Sequence, residues 1–256
     1  LKEDVQPTRQ QVESSFINAV NNTLADGGKV LIPIPAVGRA QEIMMVIDHY
    51  MKSGEMVEAP VFTEGMISEA SAIHESYPEY LARELKQKIL ETDDNPFDSE
   101  YFTNIEHADS REEPMRENSP CIILATSGML EGGPVLEYFK NIAPDKKNKV
   151  LFVSYQVNGT MGRRVLDGSK QCSMLGKEGK VEVVSVNCGV EKLDGFSGHS
   201  DYNQLMSFVQ RLRPKLRRVL VNHGERSKSE NLAMNIRRTY KLAAHYPQVQ
   251  EAIKLF

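Results

Sequence analysis

The stretch KVLIPIPAVGRAQEIMMVIDHYM, residues 29–51, contains the repeating unit that decides the fold of this chain. Its first part, Lys29 to Ile34, is mostly apolar and predicts a buried β-strand. A turn of small residues follows, and the Ile- and Met-rich stretch after it predicts a helix that ends near Met51. The same order of strand, small-residue turn and helix recurs from Cys121 and from Lys149. Three such units predict an α/β fold in which a mostly parallel sheet is flanked by helices.

Two segments outside these units carry their own signals. Thr8, with Gln11 three residues later, is typical of a helix that begins with a capping box. The stretch from Glu91 to Glu117 holds ten acidic residues and two arginines, together with Pro96 and Pro114. Its polarity predicts a mobile surface loop that covers no core.

A second structural unit is predicted from about residue 179, where the pattern of apolar residues changes. Two short alternating strands are joined near 187–189. They are followed by a helix from about Tyr202 to Leu212, a strand from Arg217 to Asn222 and a helix from about Ser229 to Leu242.

The composition is that of a soluble globular protein. The 256 residues are 40% hydrophobic and 26% charged, and no apolar run approaches the roughly 20 residues that cross a bilayer, so we expect no membrane span. The three cysteines contain no CxxC pair, which indicates reduced thiols and a cytoplasmic protein. The net charge of −4 does not exclude a polyanionic ligand, because the local field at a site matters more than the total.

Three loops follow predicted parallel strands, at 36–39, 126–129 and 155–164. Each places a glycine and a hydroxyl or arginine before a helix, where free backbone N–H groups favour a phosphate. None matches a Walker or dinucleotide fingerprint. Taken singly, the glycines are also typical of ordinary turns, and the paired arginines of a solvated helix face. The candidate substrate-binding residues are Arg39, Ser127, Gly128, Tyr155, Gln156, Thr160, Arg163 and Arg164.

His199 and His223 each adjoin an apolar run and small polar residues. They are 24 residues apart, too far for a local metal motif such as HxxxH. The strand and helix pattern brings both to the same edge, where Asp201 is placed to orient the His199 ring and Glu225 the His223 ring. The alternative is that both histidines simply occupy the surface or the core.

Five stretches together carry a resemblance to a known family. VLIPIPAVGRAQE, PVFTEGMISEASAIHESYPEYL, ILATSGMLEGGPVLEYFK, GFSGHSD and VLVNHGE occur in that order and cover nearly the whole chain. They closely resemble the β-CASP branch of the metallo-β-lactamase superfamily, and in particular the archaeal homologues of the cleavage and polyadenylation specificity factor nuclease. The resemblance implies that residues 1–190 are the β-CASP domain and residues 191–256 the C-terminal return segment of a metallo-β-lactamase (αββα) domain.

The resemblance also implies a function and the residues that carry it. It implies a ribonuclease with two zinc ions that hydrolyses RNA phosphodiester bonds in mRNA 3′-end processing, transcription termination or RNA decay. His223 falls on motif C and would ligate zinc, and His199, on motif B, would face the scissile phosphate with Asp201 beside it. RNA is the expected partner, and a homodimer formed through the C-terminal region is a further expectation.

One departure from the family pattern limits what the chain is expected to do. The main metal motif HxHxDH is absent, and no HxH occurs in the 256 residues. We therefore expect the C-terminal part of a longer nuclease that holds no zinc pair and is inactive alone. The alternative is a non-catalytic RNA-binding or scaffolding subunit of the same family. A doubly wound nucleotide-binding enzyme is a third hypothesis, which lacks any sequence fingerprint.

Overall fold

The computed structural model describes residues 7–92, 94–116, 119–176, 179–196 and 198–255, which divide into a larger unit up to 196 and a smaller unit from 198. The helices of the larger unit are α1 (Arg9–Ala25), α2 (Arg39–Lys52), α3 (Ile67–Ser76), α4 (Arg83–Glu91), α5 (Glu112–Met115), α6 (Val135–Ile142) and α7 (Met161–Leu166). Its strands are β1 (Val30–Pro33), β2 (Val61–Glu64), β3 (Phe102–Ile105), β4 (Ile122–Ala125), β5 (Lys149–Phe152), β6 (Gln171–Leu175), β7 (Val181–Ser185) and β8 (Gly189–Lys192).

Six of these strands form one parallel sheet in the order β3-β2-β4-β1-β5-β8. The central strands are fully buried, as expected of a parallel sheet covered on both faces. The predicted α/β fold with a mostly parallel sheet and flanking helices is confirmed, and so is the capping box of α1 at Thr8 and Gln11.

The sheet separates two hydrophobic cores. Successive residues of a strand point to opposite faces. Val30 and Ile32 accordingly pack in a core with residues of α1 and α2, whereas Leu31 packs with residues of α6, α7 and the β6–β7 hairpin. The sheet is thus held from both sides, and the loops at the carboxyl ends of its strands rest on a rigid base.

The polarity of the acidic segment had predicted a surface loop that covers no core, but the structure differs. The segment contains β3, which extends the sheet beside β2, and the short helix α5. Phe97, Ile105 and Pro114 are buried, and the first two belong to the two hydrophobic cores. The prediction was wrong because a few apolar residues anchor a stretch whose charges face solvent, and average polarity does not show where they lie.

The two short strands that the sequence predicted to be joined near 187–189 have different pairing partners in the structure. β7 pairs with β6 in an antiparallel hairpin, and β8 pairs in parallel with β5 at the edge of the main sheet. Their alternation was recognised, but the partners were wrong because the pattern of one strand does not specify its neighbour. The smaller unit begins at 198, after the predicted domain boundary at 190/191.

The smaller unit consists of α8 (Tyr202–Leu212), β9 (Arg218–Leu220), α9 (Arg226–Tyr240) and β10 (Ala243–His245). β9 and β10 pair in parallel, and both helices contribute to a small core that contains Met206, Val209 and Ile236. The predicted helix from Tyr202 to Leu212 has the observed bounds. Within the described ranges, no helix is long and apolar enough to cross a membrane.

Candidate functional site

The three loops singled out from the sequence contact one another at the carboxyl ends of β1, β4 and β5. A Cβ atom on Gly128 would lie 2.7 Å from Cδ of Pro35, the residue directly before the first loop, so only glycine allows the middle loop to approach this closely. Gln156 Nε2 donates to the carbonyl of Gly128 at 2.9 Å, and the N–H of Gly162 donates to the carbonyl of Met129, also at 2.9 Å. The structure therefore joins the three loops into one edge, which we call the strand-end edge.

Arg39 lies in the first loop region, at the start of α2. Its guanidinium pairs with the carboxylate of Glu42, which also accepts from Arg9. Burial and the neighbouring Arg9 lower the pKa of Arg39 from its usual value. A phosphate at this position would relieve the repulsion between the two arginines, but it would compete with Glu42.

Gln41 is a positioning residue that the sequence analysis missed. Its side chain is buried, with Oε1 accepting from the N–H of Gly38 at 2.7 Å. Its Nε2 donates to the carbonyl of Ala36 and to Oγ of Ser71, both at 3.1 Å. Gln41 thus fixes the first loop against α3, and its signal in the sequence was its position three residues after Gly38, the spacing of a glutamine that caps a helix.

Ser127 and Glu131 organise the middle loop. The Ser127 hydroxyl accepts from the N–H of Glu131 at 3.3 Å, which leaves its own hydrogen for another acceptor. The carboxylate of Glu131 accepts from the N–H of Met161 at 2.5 Å, at the start of α7. Glu131 was not predicted, and it links the middle and third loops.

The third loop presents a half-exposed aromatic ring and a capped helix. Tyr155 is 40% exposed, and the ammonium of Lys192 lies 5.9 Å from the centre of its ring. The hydroxyl of Thr160 donates to the carbonyl of Val157 at 2.8 Å and accepts from the N–H of Arg163 at 3.2 Å. The Thr160 hydroxyl therefore serves as the N-cap of α7.

The two arginines of α7 differ in their surroundings. Arg163 Nε donates to both carboxylate oxygens of Asp167, at 3.0 and 2.9 Å. The side chain of Arg164 is exposed. Arg164 is therefore the more accessible cation for an anionic ligand at this helix.

Gln156 is buried rather than presented to a ligand. It is only 1% exposed, and its Nε2 donates to the carbonyls of Gly128 and Ser154. A Cβ atom on Gly162 would lie 2.0 Å from Gln156 Oε1, so the α7 backbone approaches the amide closely. These contacts assign Gln156 the task of holding the middle and third loops together.

A buried polar cluster next to these loops was also missed. Glu64, at the end of β2, is 7% exposed and accepts from Arg111 Nε at 2.9 and 3.0 Å and from Nη2 at 2.5 Å. The hydroxyl of Tyr138 donates to the same carboxylate at 2.6 Å. The pKa of Arg111 is raised, chiefly by this hydrogen bond, and the pKa of Tyr138 is raised, chiefly by burial. The cluster fixes the acidic segment to the sheet.

His199 and Asp201 lie at the start of α8 in the smaller unit. Asp201 is the N-cap, and its carboxylate accepts from the N–H of Gln204 at 2.8 Å in a complete capping box. His199 is exposed two residues earlier. The carboxylate expected to orient His199 therefore has a structural task in α8, and its catalytic role stays a prediction.

His223 lies in the turn between β9 and α9. Its backbone is left-handed, with φ of 65°, and its N–H donates to Oδ1 of Asn222 at 2.7 Å. The side chain is exposed. A non-glycine residue in this conformation is uncommon, which is compatible with a turn that is shaped to present the imidazole.

The residues that the structure describes do not form a metal-binding site. Across residues 7–92, 94–116, 119–176, 179–196 and 198–255, no group of three or more His, Cys, Asp or Glu side chains is placed to hold a metal ion. A catalytic zinc site needs about three protein ligands. The described residues therefore do not fit a zinc pair, although His223 remains exposed as a candidate single ligand.

Two family models match the chain. The Beta-Casp domain matches residues 40–165, and the Zn-dependent metallo-hydrolase RNA specificity domain matches residues 183–247. Together with the parallel sheet and its strand-end loops, these matches show that the chain belongs to the β-CASP family of metallo-hydrolases.

The chain is similar to several archaeal proteins named transcription termination factor FttA. It is 81% identical over 255 residues to that of Cenarchaeum symbiosum (strain A), 46% over 252 residues to that of Pyrococcus horikoshii and 44% over 253 residues to that of Methanocaldococcus jannaschii. These alignments cover 98% to 100% of the chain but only 39% or 40% of each relative. The chain thus spans about two fifths of the length of the curated relatives it matches.

Proposed function

We propose that this chain is the RNA-contacting part of a zinc-dependent ribonuclease that acts in transcription termination or another step of RNA 3′-end formation or decay. The observation that carries the proposal is the strand-end edge, where three loops meet: Arg164 is exposed there, Ser127 is partly exposed, and Arg39 is partly buried beside Glu42. The names of the matched RNA specificity model and of the relatives support RNA as the ligand.

The physical basis is the placement of donors at the carboxyl ends of parallel strands. Ligands of open α/β sheets bind where loops and helix N-termini converge. A cation near an RNA phosphate releases counterions, and an exposed aromatic ring such as Tyr155 offers a face for base stacking. The buried supports, Gln41 and Gln156, hold the loops in place without contacting the ligand.

The histidines have proposed roles that rest on the family resemblance. We assign His199 to the scissile phosphate, where an imidazole can supply a proton to the leaving oxygen near neutral pH. We assign His223 to a zinc ion, which would activate water for hydrolysis when bound. Because the described residues do not assemble a metal site, we expect the purified chain to bind no zinc pair and to cleave no RNA.

Neutralising the two arginines of α7 tests the RNA contact. Arg163→Gln with Arg164→Gln should weaken the binding of a labelled single-stranded RNA about equally across sequences. The salt slope is the slope of the logarithm of the RNA affinity against the logarithm of the salt concentration, and each lost phosphate contact lowers its magnitude by about 0.7. Two lost contacts therefore correspond to a roughly fifteenfold loss of affinity at 0.15 M salt. Because Asp167 already pairs with Arg163, we expect less than this limit.

A matched control removes two cations from the opposite edge of the same sheet. Lys146 and Lys147 are exposed just before β5, at the amino end of that strand. Lys146→Gln with Lys147→Gln should leave the affinity and the salt slope nearly unchanged in fluorescence anisotropy titrations. Equal effects of the two double variants would count against the strand-end edge as the RNA site.

The alternative is a non-catalytic RNA-binding or scaffolding subunit of the same family. The two hypotheses differ in cleavage by the longer protein, not in RNA binding by this chain. Metal-dependent cleavage that His223→Ala abolishes, with RNA binding retained, supports the enzyme. Binding of RNA without cleavage supports the scaffold.

A further inference from the structure

Charge is unevenly divided along the chain. Residues 198–255 hold eleven Lys and Arg but four Asp and Glu, a balance of +7 in a chain whose net charge is −4. The smaller unit is therefore strongly basic, and its field attracts polyanions although the whole chain is acidic.

The positive charge is concentrated in one short run, residues 211–218, which we call the basic run. Its five cations are all exposed: Arg211, Arg213, Lys215, Arg217 and Arg218. Among the described residues, none of the five lies within 4.0 Å of a carboxylate, and Arg218 donates only to the backbone carbonyl of Lys254. The basic run thus carries positive charge that the fold does not neutralise.

An exposed aromatic ring adjoins the basic run. Phe208 is 62% exposed, although the side chains of Met206 and Val209 on the same helix are buried in the core. Arg211 and Leu212 follow Phe208 by three and four residues, so all three share one face of α8. The exposed ring therefore offers a face for base stacking directly beside the cations of the basic run.

We propose that Phe208 and the basic run form a second contact surface for single-stranded RNA, on residues different from those of the strand-end edge. Cations that track phosphates, together with an aromatic ring on which a base stacks, are the recurring elements of single-strand binding. An acidic protein would pair with the cations but would not require the ring. The matched RNA specificity model also covers these residues. The inference rests on RNA as the proposed ligand.

A variant in which three of the five cations of the basic run are replaced by glutamine tests the phosphate contacts. Arg213→Gln, Lys215→Gln and Arg217→Gln together should lower the salt slope of RNA binding by about 2. At 0.15 M salt this corresponds to a loss of affinity of up to about fiftyfold. The matched control is Arg238→Gln, Lys241→Gln and Lys254→Gln, which removes three exposed cations from the same unit and should change the slope by much less.

A second variant tests the stacking contact independently of charge. Phe208→Ala should weaken RNA binding about fivefold or more. The control Met234→Ala removes a side chain that is 50% exposed on α9 and should leave the affinity within twofold. Because both side chains are exposed, thermal unfolding should remain unchanged in both variants.

The result that would overturn the proposal is an affinity for RNA in either test variant equal to that of its control. Displacement of the RNA by poly-glutamate as effective as displacement by poly(U), at equal charge concentration, would also overturn it in favour of an acidic protein partner. If the basic-run variants bind like the native chain while Arg163→Gln with Arg164→Gln weakens binding, only this inference fails. If neither set weakens binding, the proposed RNA contact of the strand-end edge fails as well.

Discussion

Arg111→Ala should destabilise the larger unit far more than an ordinary substitution in a charged surface segment. The guanidinium donates three hydrogen bonds to the carboxylate of Glu64, a residue that is 7% exposed and also accepts from Tyr138. Removing one partner of a buried ion pair leaves an uncompensated charge and costs about 3–5 kcal/mol. Because the Arg111 side chain is 28% exposed, water reaches the site, and we expect the lower end, about 3 kcal/mol.

The measurement is urea unfolding followed by circular dichroism, with thermal unfolding beside it. A loss of about 3 kcal/mol corresponds to roughly 6–12 °C in Tm for a unit of this size. Arg116→Ala, in the same segment and exposed, is the control and should stay within about 0.5 kcal/mol. Adding Glu64→Gln to Arg111→Ala should recover part of the loss, because a neutral amide replaces the unpaired charge. A stability of Arg111→Ala equal to that of Arg116→Ala would refute the reasoning.

Three further predictions concern the larger unit. Gly128→Ala would place a methyl group 2.7 Å from Cδ of Pro35 and should cost about 1–3 kcal/mol in urea unfolding, so an unchanged midpoint would contradict the close packing of the loops. Burial raises the pKa of Cys121 and of Cys188 to about 11, so both thiols should react slowly with a thiol reagent at pH 8 and rapidly in urea; equal rates would contradict the burial. Replacing residues 94–116 by a short linker should lower Tm by several degrees, since β3 and Phe97 leave with the segment; an unchanged Tm would show that it carries no core.

Repetition in the sequence made the main sheet predictable. The strands β1, β4 and β5 are short, mostly apolar runs followed by a turn and a helix, which is the pattern of a parallel strand buried on both faces. Thr8 was likewise recognised as a helix cap, because a cap is a local interaction, whereas the cap at Asp201 was seen first in the structure. For Asp201, the cap was not the role that the sequence had suggested.

The supports of the strand-end edge were not predictable, because they depend on contacts between distant segments. Glu64 and Arg111 are 47 residues apart, and Gln156 and Gly128 are 28 apart. The sequence does not show whether a glutamine side chain is buried or exposed. Gln156 was therefore predicted to bind the ligand, whereas the structure shows it buried between two loops. The acidic segment was misjudged for the same reason, since β3 is stabilised by its pairing with β2 and not by its own composition.

Crosslinking of a 4-thiouridine-containing single-stranded RNA to the chain, followed by mass spectrometry of the peptides, tests the central claim most directly. The claim is that RNA lies along the strand-end edge, where the loops at 126–130 and 155–164 meet. We predict crosslinked peptides from these loops, with Tyr155 the most reactive because its ring is exposed. Crosslinks confined to the opposite edge of the sheet, around Lys146 and Lys147, would contradict the account.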